Sequence, residues 1–173
     1  MKKSFIPDLF TFINLSFGIF SLIEAHYAHY YLSAVFILMA GLVDRYDGRI
    51  ARYLDVSSDL GKELDSLADL VSFGVAPSVL TFLVFNLNTF GPYGILGLIL
   101  LAIFPICGAF RLARYNLAAF DGIYTGVPIT IVGCFMAVFG IISLYTKIIY
   151  PLAIIFLILG AYLMVSTLKL KKV

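Results

Sequence analysis

Charge is what this sequence has least of. Of its 173 residues only 13% are Asp, Glu, Lys or Arg, against 62% apolar, and the mean hydropathy is +1.03. No soluble domain of this size needs so many apolar residues, and no polar segment is long enough to fold separately. One membrane domain over residues 1–173 is therefore expected. Cysteine is almost absent. Cys107 and Cys134 both lie in apolar runs, which excludes a disulfide framework or a zinc site and makes both small buried residues. There is no internal repeat and no low-complexity segment. The first apolar run follows Lys2 and Lys3 as a signal peptide would, but it lacks a small-residue cleavage site and is expected to be retained. The net charge of +2 implies nothing about nucleic acid, and the basic residues are spaced as membrane-flanking charges rather than as a groove-lining patch, so no nucleic-acid partner is expected.

What is present is a series of long apolar runs. Six are readable: 7–25, 29–43 continuing to about 54, 64–86, 94–115, 126–146 and 148–168. Each is close to the ~20 residues that a helix needs to cross the hydrocarbon. Isolated strands would leave backbone groups unpaired in lipid, so an all-α integral membrane protein with six transmembrane helices is expected. With six spans, eleven of the twelve Lys and Arg fall on one face and only Lys147 on the other. That bias puts both termini in the cytoplasm of a multi-pass protein of the cell membrane.

The few charges are concentrated. Seven of the ten acidic residues and four of the twelve basic ones fall between Asp44 and Asp69, in VDRYDGRIARYLDVSSDLGKELDSLADLVS, residues 43–72. Asp44, Asp47 and Ala51 share one helix face by spacing, and Gly61, Asp65 and Asp69 share another. Asp55, Ser57, Ser58 and Asp59 between them suit a turn and a helix N-cap. A helical hairpin would bring two pairs of carboxylates face to face at the cytoplasmic membrane surface. At about 2.5–3.5 kcal/mol for each charge at depth, four cost on the order of 10 kcal/mol before mutual repulsion. Hard divalent cations such as Mg²⁺, Mn²⁺ or Ca²⁺ would offset this, and no His or Cys lies in the stretch to favour a softer metal. Two such ions suit displacement at phosphorus. Gly48, Ala51 and Gly61 leave room for a ligand, and Arg52 is placed to grip a phosphate.

The string DRYDGRIARYLDVSSDLGKELDSLAD resembles the signature of the CDP-alcohol phosphotransferase family. All eight fixed positions match: Asp44, Asp47, Gly48, Ala51, Arg52, Gly61, Asp65 and Asp69. The resemblance implies a homodimer of six-helix subunits with a site open to the cytoplasm. It implies that Asp44, Asp47, Asp65 and Asp69 hold two divalent cations, Mg²⁺ or Mn²⁺, with Asp69 also the general base on the acceptor hydroxyl. Gly48, Ala51 and Arg52 would receive the cytidine diphosphate group, and Gly61 would allow its approach.

Two flanking blocks resemble the serine-accepting branch of that family. The opening IPDLFTFINLSFG matches at Thr11 and Asn14, which are expected at the nucleotide, and departs at Asp8, where Asn is usual. CGAFRLARYN (107–116) and FDGIYTGVPIT (120–130) form the second block. Arg111 and Arg114, three apart, are expected to make an anion pocket for the serine carboxylate. The expected reaction is transfer of a phosphatidyl group from CDP-diacylglycerol, in a bed of membrane lipids, to L-serine with release of CMP. Glycerol 3-phosphate or inositol phosphate as acceptor is the nearest alternative, and an ion-coupled transporter a distant one.

Overall fold

The computed structural model describes residues 5–54, 58–117, 123–146, 149–167 and 169–171. Among these are seven helices: α1 (Phe5–His26), α2 (Tyr30–Leu54), α3 (Asp59–Asp69), α4 (Ala76–Val84), α5 (Ile95–Leu117), α6 (Ile129–Tyr145) and α7 (Tyr150–Val165). A π-helical turn, Leu70–Val75, joins α3 to α4 without a break, so seven helices make six rods. The rods stand where the apolar runs predict them. Three are long and apolar enough to cross a membrane: Asp8–His26, Asp59–Val84 and Pro92–Leu117. The shorter α6 and α7 are also apolar.

The expectation of helix throughout meets one departure. Two three-residue strands, β1 (Ile123–Thr125) and β2 (Lys169–Lys171), pair antiparallel with Ile123 opposite Lys171. Both lie beyond helix ends, where backbone groups without helical partners can satisfy one another.

The core is mostly apolar with a few polar groups, and unlike a water-soluble bundle the exterior is apolar as well. Inside, beside Phe73, Phe104, Ile37 and Met136, lie Asn14, Ser21, Ser33, Asp69, Ser72, Thr81 and Arg111. Outside, the helices present Phe12, Phe20, Ile99, Ile106, Phe135 and Ile155. An exterior this rich in large apolar side chains would be costly in water. The inner polar groups find one another: the Ser21 and Ser33 hydroxyls meet at 2.9 Å across the α1–α2 hairpin.

The π-helical turn has a cause in the sequence. Pro77, in the first turn of α4, has no N–H to give to the Phe73 carbonyl, and its ring crowds that oxygen. The coil widens just before it, and the Ala76 N–H reaches back five residues to the Val71 carbonyl. The Phe73 carbonyl leans against α6, where Gly133 offers bare backbone. A Cβ there would stand 2.6 Å from that oxygen and 2.7 Å from the Phe73 Cα. Ser72, within the same turn, donates its hydroxyl to the Asn14 carbonyl at 3.0 Å and so pins α1 to the widened segment.

Gly133→Ala is expected to destabilise the bundle by about 1–3 kcal/mol, because backbone rather than a side chain would have to move. Gly140→Ala, whose new methyl would meet only the Leu80 side chain at 3.4 Å, should be tolerated. Denaturation midpoints of the two purified variants in detergent compare them directly.

Candidate active site

Ser58 fixes where α3 begins, its side chain accepting the Gly61 N–H at 2.9 Å as an N-cap. From that start, Asp65 and Asp69 fall one turn apart on the face turned toward α2. Asp44 on α2 completes the group: one carboxylate oxygen from each of Asp44, Asp65 and Asp69 lies within 4.8 Å of the others. Asp69 is the deepest, only 7% exposed. At an effective dielectric of about 20, two negative charges ~5 Å apart repel by about 3 kcal/mol, so the cluster requires compensation.

Some of it comes from neutral and positive neighbours on other helices. Asn14 of α1, 1% exposed, donates its Nδ2 to Asp69 Oδ1 at 3.1 Å. Since the Asn14 carbonyl oxygen also accepts from Ser72, this one residue braces Asp69 and the π-helical turn together. Thr11, a turn earlier on α1, is buried as well. Arg111 of α5, buried over the Tyr115 ring at 5.9 Å, lies within electrostatic range of Asp69. Thr130 of α6 points its hydroxyl at Asp44 Oδ2, 3.4 Å away. At the outer end of α3, Asn116 Nδ2 donates to Glu63 Oε1 at 3.2 Å and Ser66 Oγ at 3.0 Å, clasping α5 to the acidic helix.

The residues suit a hard divalent cation. The donors are carboxylate oxygens, and the side-chain oxygen of Asn14, buried beside Asp69, has no hydrogen-bond partner among the described residues. An oriented, desolvated acceptor of this kind seeks a cation or a donor from a ligand. Cys134, the nearest sulfur-bearing group on α6, packs against Gly41.

Of the residues singled out in the sequence, the structure brings together Asp44, Asp65, Asp69, Asn14 and Arg111. Asp47, Gly48, Ala51 and Arg52 lie on the described backbone of α2, but their side chains lie outside the described residues. Gly61 has a packing reason for lacking a side chain: Ser58 Oγ and Asp8 Oδ1 stand 2.9 Å and 3.4 Å from where its Cβ would be. Arg114 is held at the end of α7, donating Nη1 to the Val165 carbonyl at 3.0 Å and Nη2 to the Ser166 carbonyl at 3.2 Å. It thereby caps carbonyls that α7 leaves unsatisfied. Thr130, Ser72 and Asn116 escape the sequence reading. For Thr130 the signal was a lone hydroxyl residue just after Gly-Val-Pro at the start of an apolar run. Ser72 and Asn116 carry none, since their partners are far away in sequence.

Comparison with known proteins agrees with this geometry. The pattern of the CDP-alcohol phosphatidyltransferase family matches residues 4–166. The CDP-diacylglycerol–serine O-phosphatidyltransferase of Helicobacter pylori strain J99 is 38% identical over 127 residues, 71% of this chain and 52% of that protein. The chain thus spans about half of that relative's length. Enzymes of the same name from Bacillus subtilis and Methanocaldococcus jannaschii are 34% and 36% identical over 167 residues. Those alignments cover 96% of this chain and 89% and 74% of the relatives. With nearly its whole length matched and a carboxylate cluster held by five helices, the chain belongs to the CDP-alcohol phosphatidyltransferase family.

Proposed function

We propose that this protein transfers the phosphatidyl group of CDP-diacylglycerol to the hydroxyl of L-serine, releasing CMP. The observation that carries the proposal is the Asp44–Asp65–Asp69 cluster with Asn14 bonded to Asp69, in a chain whose relatives bear that activity in their names. The six rods cross the cell membrane with both termini and the site on the cytoplasmic side, as the exposed apolar girdle and the eleven-to-one bias of Lys and Arg support. The family resemblance favours a homodimer.

Asp44, Asp47, Asp65 and Asp69 would hold two divalent cations, Mg²⁺ or Mn²⁺, which would neutralise phosphate oxygens and acidify the attacking hydroxyl. In this reading Gly48, Ala51 and Arg52 would receive the cytidine diphosphate group, Gly61 would allow its approach, and Thr11 and Asn14 would contact the nucleotide. Asp69, its carboxylate oriented by the Asn14 hydrogen bond to Oδ1, takes the proton of the serine hydroxyl. The serine oxygen then bonds to the lipid-side phosphorus, the bond from that phosphorus to the CMP oxygen breaks, and CMP departs. Arg111 receives the serine carboxylate, its guanidinium lying over the Tyr115 ring at 5.9 Å and within electrostatic range of Asp69. Arg114, held by the end of α7, is the second acceptor-binding residue of this reading.

Three results are expected from purified protein in detergent. CMP release from CDP-diacylglycerol should require Mg²⁺ or Mn²⁺ and L-serine; release with glycerol 3-phosphate or inositol phosphate in place of serine would overturn the acceptor assignment. Asp69→Asn should lower turnover by about 10²–10⁴-fold with an unchanged thermal midpoint, and normal turnover would remove the base from Asp69. Arg111→Lys, which keeps the charge but loses the two-pronged grip, should raise KM for L-serine more than it lowers kcat.

A further inference from the structure

Hydroxyl side chains on these apolar helices mostly turn back on their own backbone. Thr81 donates to the Pro77 carbonyl at 2.7 Å, Thr146 to Ile142 at 2.7 Å, Ser16 to Phe12 at 2.7 Å and Ser143 to Gly140 at 2.6 Å. That is the usual way for such a group to satisfy itself where there is no water. Thr130 does otherwise. It is the second residue of α6, directly after the Pro128 cap, so no helical carbonyl lies one turn behind it. Its hydroxyl is released to cross to α2, where it meets Asp44 Oδ2. Asp44 belongs to the cluster that Asn14 completes with its buried side-chain oxygen, unpartnered among the described residues.

We propose that Thr130 is the positioning residue for Asp44: its hydroxyl holds Oδ2 and fixes the rotation of the carboxylate within the cluster where a divalent cation would bind. The inference rests on the reading of the cluster as a cation site. Outer partners of this kind commonly change metal affinity by about 10–100-fold. The bond is long for a hydroxyl and a carboxylate, which sets the expected effect at the lower end. The role also gives the α6 N-terminus a reason to abut α2: its start, set by Pro128, determines where the hydroxyl falls. Asn14 serves Asp69 from α1 in the same manner, so two carboxylates of the cluster are each steadied by an uncharged donor from another rod.

The test is Mn²⁺ binding by the purified full-length protein, followed by loss of the free-ion electron paramagnetic resonance signal and by the Mn²⁺-dependent rise in thermal midpoint. Thr130→Val keeps the shape and removes the donor; it should need about tenfold more Mn²⁺ in both measurements, with the midpoint of the metal-free protein unchanged. Thr130→Ser restores the donor and should bind close to the parent protein. In turnover, Thr130→Val should raise the Mn²⁺ concentration for half-activation and leave KM for L-serine unaltered. Parent-like Mn²⁺ binding by Thr130→Val, or equally weak binding by Thr130→Ser, overturns the proposal. If the valine variant does not fold, Thr130→Ala against Thr130→Ser makes the same comparison. If the parent protein itself binds no Mn²⁺, the cation reading of the cluster fails, and the role of Thr130 fails with it.

Discussion

A carboxylate buried inside an apolar helical bundle has to be held, and the hydrogen bond from Asn14 to Asp69 is where that holding is concentrated. One residue of α1 braces the deepest acid with its side chain and the π-helical turn three residues later with its backbone. Were α1 to slide by a turn, both bonds would break together and leave a buried charge without a donor. Such a loss is far more damaging than the bonds are individually worth. The register of α1 against the α3–α4 rod, and through it the place of the cluster, is set by this polar lock rather than by apolar packing alone.

The widened coil at Leu70–Val75 extends the same logic. Pro77 removes one helical hydrogen bond and frees the Phe73 carbonyl, and Gly133 lets α6 come up against it. α6 is thereby drawn in against the π-helical turn and α2, and its first turn, carrying Thr130, arrives at Asp44. A packing irregularity one turn beyond Asp69 thus brings a fourth rod to the site. At the other edge the clasp of Asn116 on Glu63 and Ser66 keeps α5 and Arg111 close. Five helices share the work of placing three carboxylates, which suits chemistry in which charges must be positioned before the reaction rather than during it.

Arg111 and Arg114 show how one sequence motif divides into two structural roles. Their spacing of three puts them on one side of α5, and the sequence treats them alike. The structure separates them by depth: Arg111 reaches inward to the neighbourhood of Asp69, while Arg114 ties down the end of α7. Gly61 divides in a different way. Its bareness suggests room for a ligand, yet Ser58 and Asp8 already press against the place of its absent Cβ.

The six rods, their order and the acidic cluster were legible from the chain alone. Long apolar runs admit one backbone solution in lipid, and Asp44, Asp47, Asp65 and Asp69 stand out because most of the chain's few acidic residues are gathered in that one stretch, although the Asp47 side chain lies outside the described residues. Helical periodicity also put Asp65 and Asp69 on one face, since that depends on nothing beyond the local coil. What only the tertiary structure decided were the partners brought from afar: Asn14 to Asp69 across 55 residues, Thr130 to Asp44 across 86, Asn116 to Ser66 across 50. A serine, threonine or asparagine in an apolar helix can satisfy itself on its own backbone or reach to a neighbour, and local sequence does not distinguish the two. The choice follows from how closely the rods approach and in what register, which is a property of the packed bundle.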